Sequence, residues 1–494
     1  MSRRKKAGKR QRAQARARKR RPTHWTAEHL TALADTKPRR LVRIVLGLQA
    51  RLQELQARLA LNSRNSSKPP SSDGYTKPAP KSLRKKTGRN SGGQPGHPGH
   101  TLKPVKKPDH VIVHPLKRCP CGCGGSLRKE TVIRYEKRQV FDLPPQKLEV
   151  TEHRAEVKCC PHSGQEVCAP FPPHVTAPTQ YGLRFFGWLT YCRVQQLLPL
   201  KRITQMVKDL FGHLISEGTV QAAITRTHKS LADFETLVKD LLARAVLLHG
   251  DETGLRVTGK LHWLHILCTQ LLTWYGVHRK RGHEAMDYFG ILPRFTGRLI
   301  HDFLESYFHY LFDHGMCNAH ILRELVFLRD ELHQPWAGKM YDLLLEMHRF
   351  VAKLKSCTDK PTKAQLAAWL RRFRTLLKEG FSKNPPAKPV PGKRGRTKQS
   401  KAYNLLHRLQ EHERSVLAFL HDFNVPFTNN QAEQDARMSK VQQKVSGGFR
   451  TLEGARMHAR IRSYTSTARK HGIDVFQALI DALAGQPFMP RAPT

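Results

Sequence analysis

Between Ala245 and Asp302 the sequence lays out four apolar runs, and the first and the last each end in an aspartate. Ala245-Val-Leu-Leu-His-Gly-Asp-Glu-Thr253 is the first, a buried strand run that closes on Asp251. Leu261–Cys268 and Leu271–His278 follow, both rich in aromatic and aliphatic residues. The gaps between them, Thr258-Gly-Lys260 and Thr269-Gln270, are short enough for an antiparallel meander. A helix is predicted over His283–Leu292, closed by Pro293, which cannot continue it. Gly297-Arg-Leu-Ile-His-Asp302 is then a fourth strand.

Three antiparallel strands, a helix and a fourth strand predict an α/β domain in the ribonuclease-H-like arrangement, where strands one and four are neighbours. Asp251 and Asp302 would then face each other. Two carboxylates that close repel unless cations sit between them. Their natural use is to bridge two Mg²⁺ (or Mn²⁺) ions about 3.5–4 Å apart. Mg²⁺ takes carboxylate oxygens and keeps waters, one of which can serve as nucleophile.

A third ligand is expected from a late helix, Asn429–Lys444, with its asparagines as caps. Glu433 shares a face there with Arg437, Lys440 and Lys444, while Met438, Val441 and Val445 form an opposite stripe for the core. A carboxylate leading a basic ridge suits a helix laid beside DNA phosphates. An exposed i,i+4 Glu–Arg pair is the plainer alternative. From the pattern alone, Asp435 or another acid also stays open as the third ligand.

Charge names the partner class. With 86 Lys+Arg against 39 Asp+Glu, the net charge of +47 implies a polyanion. No apolar run reaches 18 residues, and no apolar h-region follows the basic N-terminus. DNA or RNA is therefore expected rather than a membrane, at a cytoplasmic, nucleoid-associated location.

Residues 1–22 hold 12 Lys or Arg and read as a disordered DNA arm, or as a solvated tail; the arm is taken to extend to residue 40. Over 41–61, Leu41, Val45, Leu48, Leu52, Leu55 and Leu59 are spaced 4, 3, 4, 3, 4, the a/d seam of a coiled coil. The alternative is an amphipathic helix packed on its own domain. A linker rich in Lys, Pro and Gly spans 62–110, with His97 and His100 near its end.

Six of the ten cysteines lie within residues 119–168, which points to metal rather than disulfides. Cys119-Pro-Cys-Gly-Cys123 and Cys159-Cys-Pro-His162 flank alternating segments such as Val111–His114 and Gln139–Leu143. The layout over 111–175 is that of a zinc ribbon, with Cys119, Cys121, Cys123, Cys159, Cys160 and His162 as candidate Zn²⁺ ligands. A metal-free β-module is the alternative. Residues 176–240 read as helical; Ile203–Phe211, Gly212 and a helix from Ile215 resemble a helix-turn-helix, or else form a packing base. Cys317 and His320, three apart, read as a second metal site, as hydrogen-bonding support for the acids, or as packing.

The sequence resembles the insertion-sequence-66 family of bacterial transposases over essentially its whole length. The resemblance rests on Asn62–Asp73, Gly92–Gly96, Gly250-Asp-Glu-Thr-Gly254, Gly259–His265, Lys280–Met286, Gly290–Phe295, Cys317–Glu324, Asn429-Asn-Gln-Ala-Glu433 and Lys444–Arg450. It implies a DDE catalytic core carried by Asp251, Asp302 and Glu433 in a domain spanning 241–485. It also implies a zinc-finger-like DNA-binding module before that core, and a helical insertion at about 325–420 containing the basic stretch Lys383–Lys401. The chain departs from the family at Cys160-Pro-His-Ser163, where members commonly have Cys-Pro-His-Cys. Its fourth zinc ligand is thereby in question, with His162 or Cys159 as substitutes.

The expected activity is cleavage at element ends, then joining of the freed 3′-OH to target DNA. Arg437, Lys440, Lys444 and Arg450 are the expected DNA contacts, in a homodimer or higher oligomer working with accessory proteins of the same element. A nuclease that cuts without joining and a non-catalytic DNA-binding regulator are the competing readings.

Overall fold

The computed structural model describes residues 26–62, 65–66, 96, 102–357, 360–389, 395 and 397–491. The basic arm as far as residue 25, most of the linker, His97 and His100 lie outside them.

Helices α1 (Ala27–Thr36) and α2 (Pro38–Leu59) come first. The only strands described between 102 and 182 are β1 (Val157–Cys159) and β2 (Glu166–Cys168), an antiparallel pair in register Val157↔Cys168. Four helices follow: α3 (Leu183–Thr190), α4 (Leu200–Phe211), α5 (Glu217–Ser230) and α6 (Ala232–Ala243). Then come β3 (Leu247–Val257), β4 (Lys260–Cys268), β5 (Thr273–His278), α7 (His283–Phe289), β6 (Arg298–His301) and β7 (Asp313–Met316). Next are α8 (Asn318–Asp330), α9 (Pro335–Ser356), α10 (Lys363–Lys383) and α11 (Lys401–Glu411). The long helices end with α12 (Asn430–Ser446), α13 (Leu452–Lys470) and α14 (Val475–Leu483). Strands β3 to β7 form one sheet in the order β5-β4-β3-β6-β7.

Two compact units divide the chain. The first takes Arg244–Asp251, Leu292–Glu433 and the described residues before Pro80. In it β3 pairs with β6, and β6 with β7, both parallel. Its core joins Ile321, Leu325 and Leu328 of α8 to Trp336, Met340 and Leu344 of α9, Phe373 and Leu377 of α10, and Leu405, Leu406 and Leu409 of α11. Gly380 lets α10 approach α11 closely, since a Cβ there would stand 2.5 Å from Leu406 Cδ2. Thr362 and Gln365 close a capping box that starts α10 where the chain turns back.

The second unit takes Lys81–Ala243, Glu252–Ile291 and Gln434–Thr494. There β3 turns into β4 through Thr258 (φ 48°) and Gly259 (φ 74°), the positive pair a tight hairpin needs, and β4 pairs antiparallel with β5. Helix α13 lies along β5, presenting Ala455, Ala459, Ser463 and Thr467 on a buried small-residue face. Ser463 Oγ accepts the Tyr275 N–H at 2.9 Å and Thr467 Oγ1 that of Thr273 at 3.1 Å. Gly212 (φ 64°) ends α4 and Ser216 caps α5 by accepting the Thr219 N–H.

Several expectations change. Val111–His114 and Gln139–Leu143 belong to no strand; Ile112 is 78% and Val140 90% exposed, for alternation without a partner strand and a layer to bury against does not hold β-structure. Helix α7 stops at Phe289, because Gly290 takes the left-handed cap before Pro293 is reached. The heptad seam lies on α2, but the helix enters the core through Ala57, while Leu48 and Leu52 are 56% and 57% exposed. Among the described residues no helix is long and apolar enough to cross a membrane.

Candidate active site and metal-ligating clusters

The ladder between β3 and β6 sets the first two acids. Leu247 pairs with Arg298, Leu248 with Leu299 and His249 with Ile300. The paired stretch ends at His249 and Ile300; Asp251 lies two residues beyond it on β3, and Asp302 two residues beyond it, just past the end of β6. Both are half-buried. Asp302 Oδ1 accepts the Leu304 N–H at 2.9 Å, which tightens the turn leaving β6. The Asp302 carbonyl bonds His301 Nδ1, so that nitrogen carries the proton; Nε2 lies 3.0 Å from His314 Nδ1, whose other ring nitrogen meets the Tyr310 carbonyl at 3.3 Å. Burial, helped by His314, pushes the His301 pKa down to about 3, so this imidazole works as a neutral brace.

Strand alternation sends the next side chain the other way. The Glu252 side chain is only 1% exposed and accepts from Arg281 Nε and Nη2, both at 3.3 Å. That guanidinium stands 4.9 Å over the Trp263 ring.

Glu433 sits in the first turn of α12, its side chain 27% exposed. Its Oε1 is 4.0 Å from both Cys317 Sγ and His320 Nδ1. Cys317 precedes α8, and burial raises its thiol to about 11 against the opposing effect of an Asn429 N–H bond to Sγ at 3.2 Å. Burial and then Arg323 lower the His320 pKa, while Glu433, Asp302 and Glu324 pull it back. Glu433 and Asp302 therefore both project their charge on one imidazole.

Asn429 was expected to cap α12, but its side chain does something else. Nδ2 donates to the Gly250 carbonyl at 2.7 Å, one residue before Asp251, and Oδ1 meets His249 Nδ1 at 2.8 Å. With its main-chain bond to Cys317, Asn429 fastens the start of α12 to β3 and α8 together. The signal for it in the sequence was only the Asn-Asn pair ahead of Glu433. Asp435, the open alternative to Glu433, is committed elsewhere: it accepts from Lys470 Nζ at 2.9 Å and Thr273 Oγ1 at 3.0 Å.

The apolar stripe assigned to the core of α12 is corrected. Val441 and Val445 are 42% and 45% exposed, whereas Ala432, Ala436, Ser439 and Gln442 are buried. Small residues face inward because α12 packs close, and the larger valines are left outside. Arg437, Lys444 and Arg450 are exposed, and Lys440 Nζ reaches the Gly254 carbonyl at 3.4 Å. The Lys444–Arg450 stretch meets the end of β3, where Phe449 N–H bonds the Arg256 carbonyl at 2.8 Å.

Cys119, Cys121 and Cys123 offer three sulfurs within 4.8 Å of one another, on a knuckle with Gly122 at φ 86° and the Cys119 N–H on the Gly125 carbonyl. Three convergent thiols fit a thiophilic ion such as Zn²⁺. Cys159, Cys160 and His162 join no such group among the described residues. Cys160 opens the β1–β2 turn, and hydrogen bonding around Ser163 lowers its pKa. On the helical pair, α5 exposes Gln221, Ala222, Arg226 and Lys229, and Gln221 also touches Met457 Sδ on α13.

Comparison with known families gives a consistent account. The model of the transposase IS66 family matches residues 178–457, and that of the zinc-finger binding domain of transposase IS66 matches 117–162. A family of unknown function matches 26–103. No curated protein matches. With more than half its length matched, and the zinc-finger module ahead of that match, the chain belongs to the IS66 family of transposases.

Proposed function

We propose that this chain is a DDE transposase with a ribonuclease-H-like core, cutting element ends and joining their 3′-OH groups to target DNA through Asp251, Asp302 and Glu433. The observation that carries the reading is the parallel β3–β6 pairing, with Asp251 and Asp302 each two residues beyond its last pair, His249 and Ile300. Asn429, which bonds β3 at Gly250, starts the helix that bears Glu433. The strand order β5-β4-β3-β6-β7, with an antiparallel meander leading into parallel strands, supports the fold assignment.

Three carboxylates are an all-oxygen donor set suited to Mg²⁺ or Mn²⁺. When bound, such ions polarise the scissile phosphodiester and lower the pKa of an attacking water. Asp251 and Asp302 would be the paired oxygen donors, with His301 holding the Asp302 main chain by its neutral Nδ1–H, and Glu433 would supply the third carboxylate from α12. Arg437, Lys440, Lys444 and Arg450 would hold the DNA backbone, a contact that positions the strand without reading it. After cutting, the freed 3′-OH attacks a target phosphodiester in line, forming the new ester as the target's own P–O3′ bond breaks and its 3′ oxygen leaves with the proton, with no covalent enzyme intermediate.

Cys119, Cys121 and Cys123 would hold Zn²⁺, with the fourth donor from Cys159, Cys160 or His162, giving a rigid module for end recognition. The exposed α2 seam would pair with that of a second copy, so that two ends are held together, with accessory proteins of the element assisting. The test is a Mg²⁺ assay on end DNA, with both intact and pre-cut ends. Asp251→Asn must lose both cleavage and joining. Retention of either by that variant refutes the assignment, and wild-type cleavage without joining of pre-cut ends reduces the chain to a nuclease.

A further inference from the structure

Cys317, His320 and Glu433 bring a thiol, an imidazole and a carboxylate together, each with an atom within 4.8 Å of the others. Cys317 stands just before α8 and His320 one turn into it, so the three-residue spacing turns both toward one side. This donor set does not suit Mg²⁺, which takes oxygen and keeps its waters. Sulfur and imidazole nitrogen select a softer ion of the Zn²⁺ kind. Such an ion takes Cys sulfur at about 2.3 Å and His nitrogen or carboxylate oxygen near 2.0–2.2 Å, which places tetrahedral donors roughly 3.3–3.6 Å apart. Glu433 Oε1 is 4.0 Å from Cys317 Sγ and from His320 Nδ1, so modest side-chain rotation closes the set.

Two further features mark the place as built. His320 Nδ1 is buried with no hydrogen-bond partner, a condition that typically costs on the order of 1–3 kcal/mol and that a metal bond would relieve. Cys317 Sγ already accepts the Asn429 N–H at 3.2 Å, the outer support that orients a ligating sulfur.

We propose that Cys317, His320 and Glu433 form a binding site for a Zn²⁺-class ion, and that its occupation withholds Glu433 from the Mg²⁺-dependent chemistry and switches DNA cleavage off. Binding releases one proton, from the Cys317 thiol to solvent, and changes no oxidation state. The occupancy stands on the geometry alone; the switching rests on the reading of Glu433 as the third catalytic acid.

Cobalt(II) titration of the full-length chain tests the occupancy, read by the sulfur-to-cobalt charge-transfer absorption and by ions bound per chain. Cys317→Ser is expected to lose one equivalent relative to wild type, and His320→Gln and Glu433→Gln to weaken the same equivalent by roughly tenfold or more. Cys119→Ser should affect a different equivalent, so that Cys119→Ser/Cys317→Ser loses both signals. Folding of each variant is checked by circular dichroism. Equal cobalt binding by wild type and folded Cys317→Ser overturns the site, as does unchanged binding by both His320→Gln and Glu433→Gln. The switching is read as Zn²⁺ inhibition of Mg²⁺-dependent end cleavage, each variant scaled to its own zinc-free rate. Inhibition should need about tenfold more Zn²⁺ in His320→Gln. Identical inhibition overturns the switch. Absence of cleavage in wild type overturns the catalytic reading and the switch with it, while the cobalt result still decides the site.

Discussion

Lys470 Nζ donates to Asp435 Oδ2 at 2.9 Å, with the two side chains only 12% and 14% exposed. This pair lies two residues beyond Glu433, and it separates two acids that one helix carries for different ends. Asp435→Asn leaves a buried ammonium without its counter-charge and should cost about 3 kcal/mol of stability. Glu433→Gln removes a carboxylate that meets His320 only at 4.0 Å and has no Lys or Arg ion pair among the described residues, and should change stability by less than about 0.5 kcal/mol. Urea unfolding of both variants, beside a Mg²⁺ cleavage assay, is the check. Loss of cleavage without loss of stability is expected for Glu433→Gln alone.

Asp251→Asn and Asp302→Asn should each lower cleavage on the order of a thousandfold, since several kcal/mol of transition-state stabilisation depend on the charges they hold. DNA affinity should hold or rise slightly, because each change removes a negative charge from the site. Single-turnover cleavage beside fluorescence anisotropy on end DNA separates the two effects.

Asn429→Ala should act on fold and activity together. It strands the Gly250 carbonyl and His249 Nδ1, both in buried surroundings, at a cost of about 2–3 kcal/mol. Cleavage should fall as well, because α12 loses its tie to β3. A variant that melts as wild type would contradict the bridging role.

Acid should destabilise the protein through its buried imidazoles. His301 is pushed down to about 3 and His265 to about 4, both chiefly by burial. In the unfolded chain each titrates near 6.5. Below about pH 6.5 the unfolded state therefore binds more protons, so the stability is complete above that value and lost as pH falls toward the folded pKa values. The slope approaches about 1.4 kcal/mol per pH unit for each imidazole. Denaturant midpoints at pH 7, 6 and 5 measure it, and His301→Asn should flatten the profile.

Leu48→Lys/Leu52→Lys should reduce the full-length chain to a smaller species in sedimentation velocity, with little change in its own melting, since both leucines are more than half exposed. An unchanged sedimentation coefficient would remove α2 from assembly.

The strands of the meander were legible because β3, β4 and β5 are apolar and separated by short turns. Strand β7 was not: Asp313-His-Gly-Met316 is short and polar at one end, and it becomes a strand only beside β6, where Gly315 clears Ile300. The inward face of α12 departs from its hydrophobic spacing for a related reason. Hydrophobic spacing favoured Val441 and Val445, but close packing admits Ala436 and Ser439 instead. The bond from Asn429 to Gly250 joins residues 179 apart, and no local pattern announces it. Likewise the spacing of Cys317 and His320 was visible, while their convergence on Glu433 needed the fold.

The hydroxyls of Ser463 and Thr467 occupy N–H groups on β5, the strand at one end of the sheet order. An open strand margin is a template onto which another chain can zip, and nascent copies crowded on one messenger would meet it first. Here those donors are spoken for by the protein's own helix. That border of the sheet is thus insulated against runaway stacking of copy on copy.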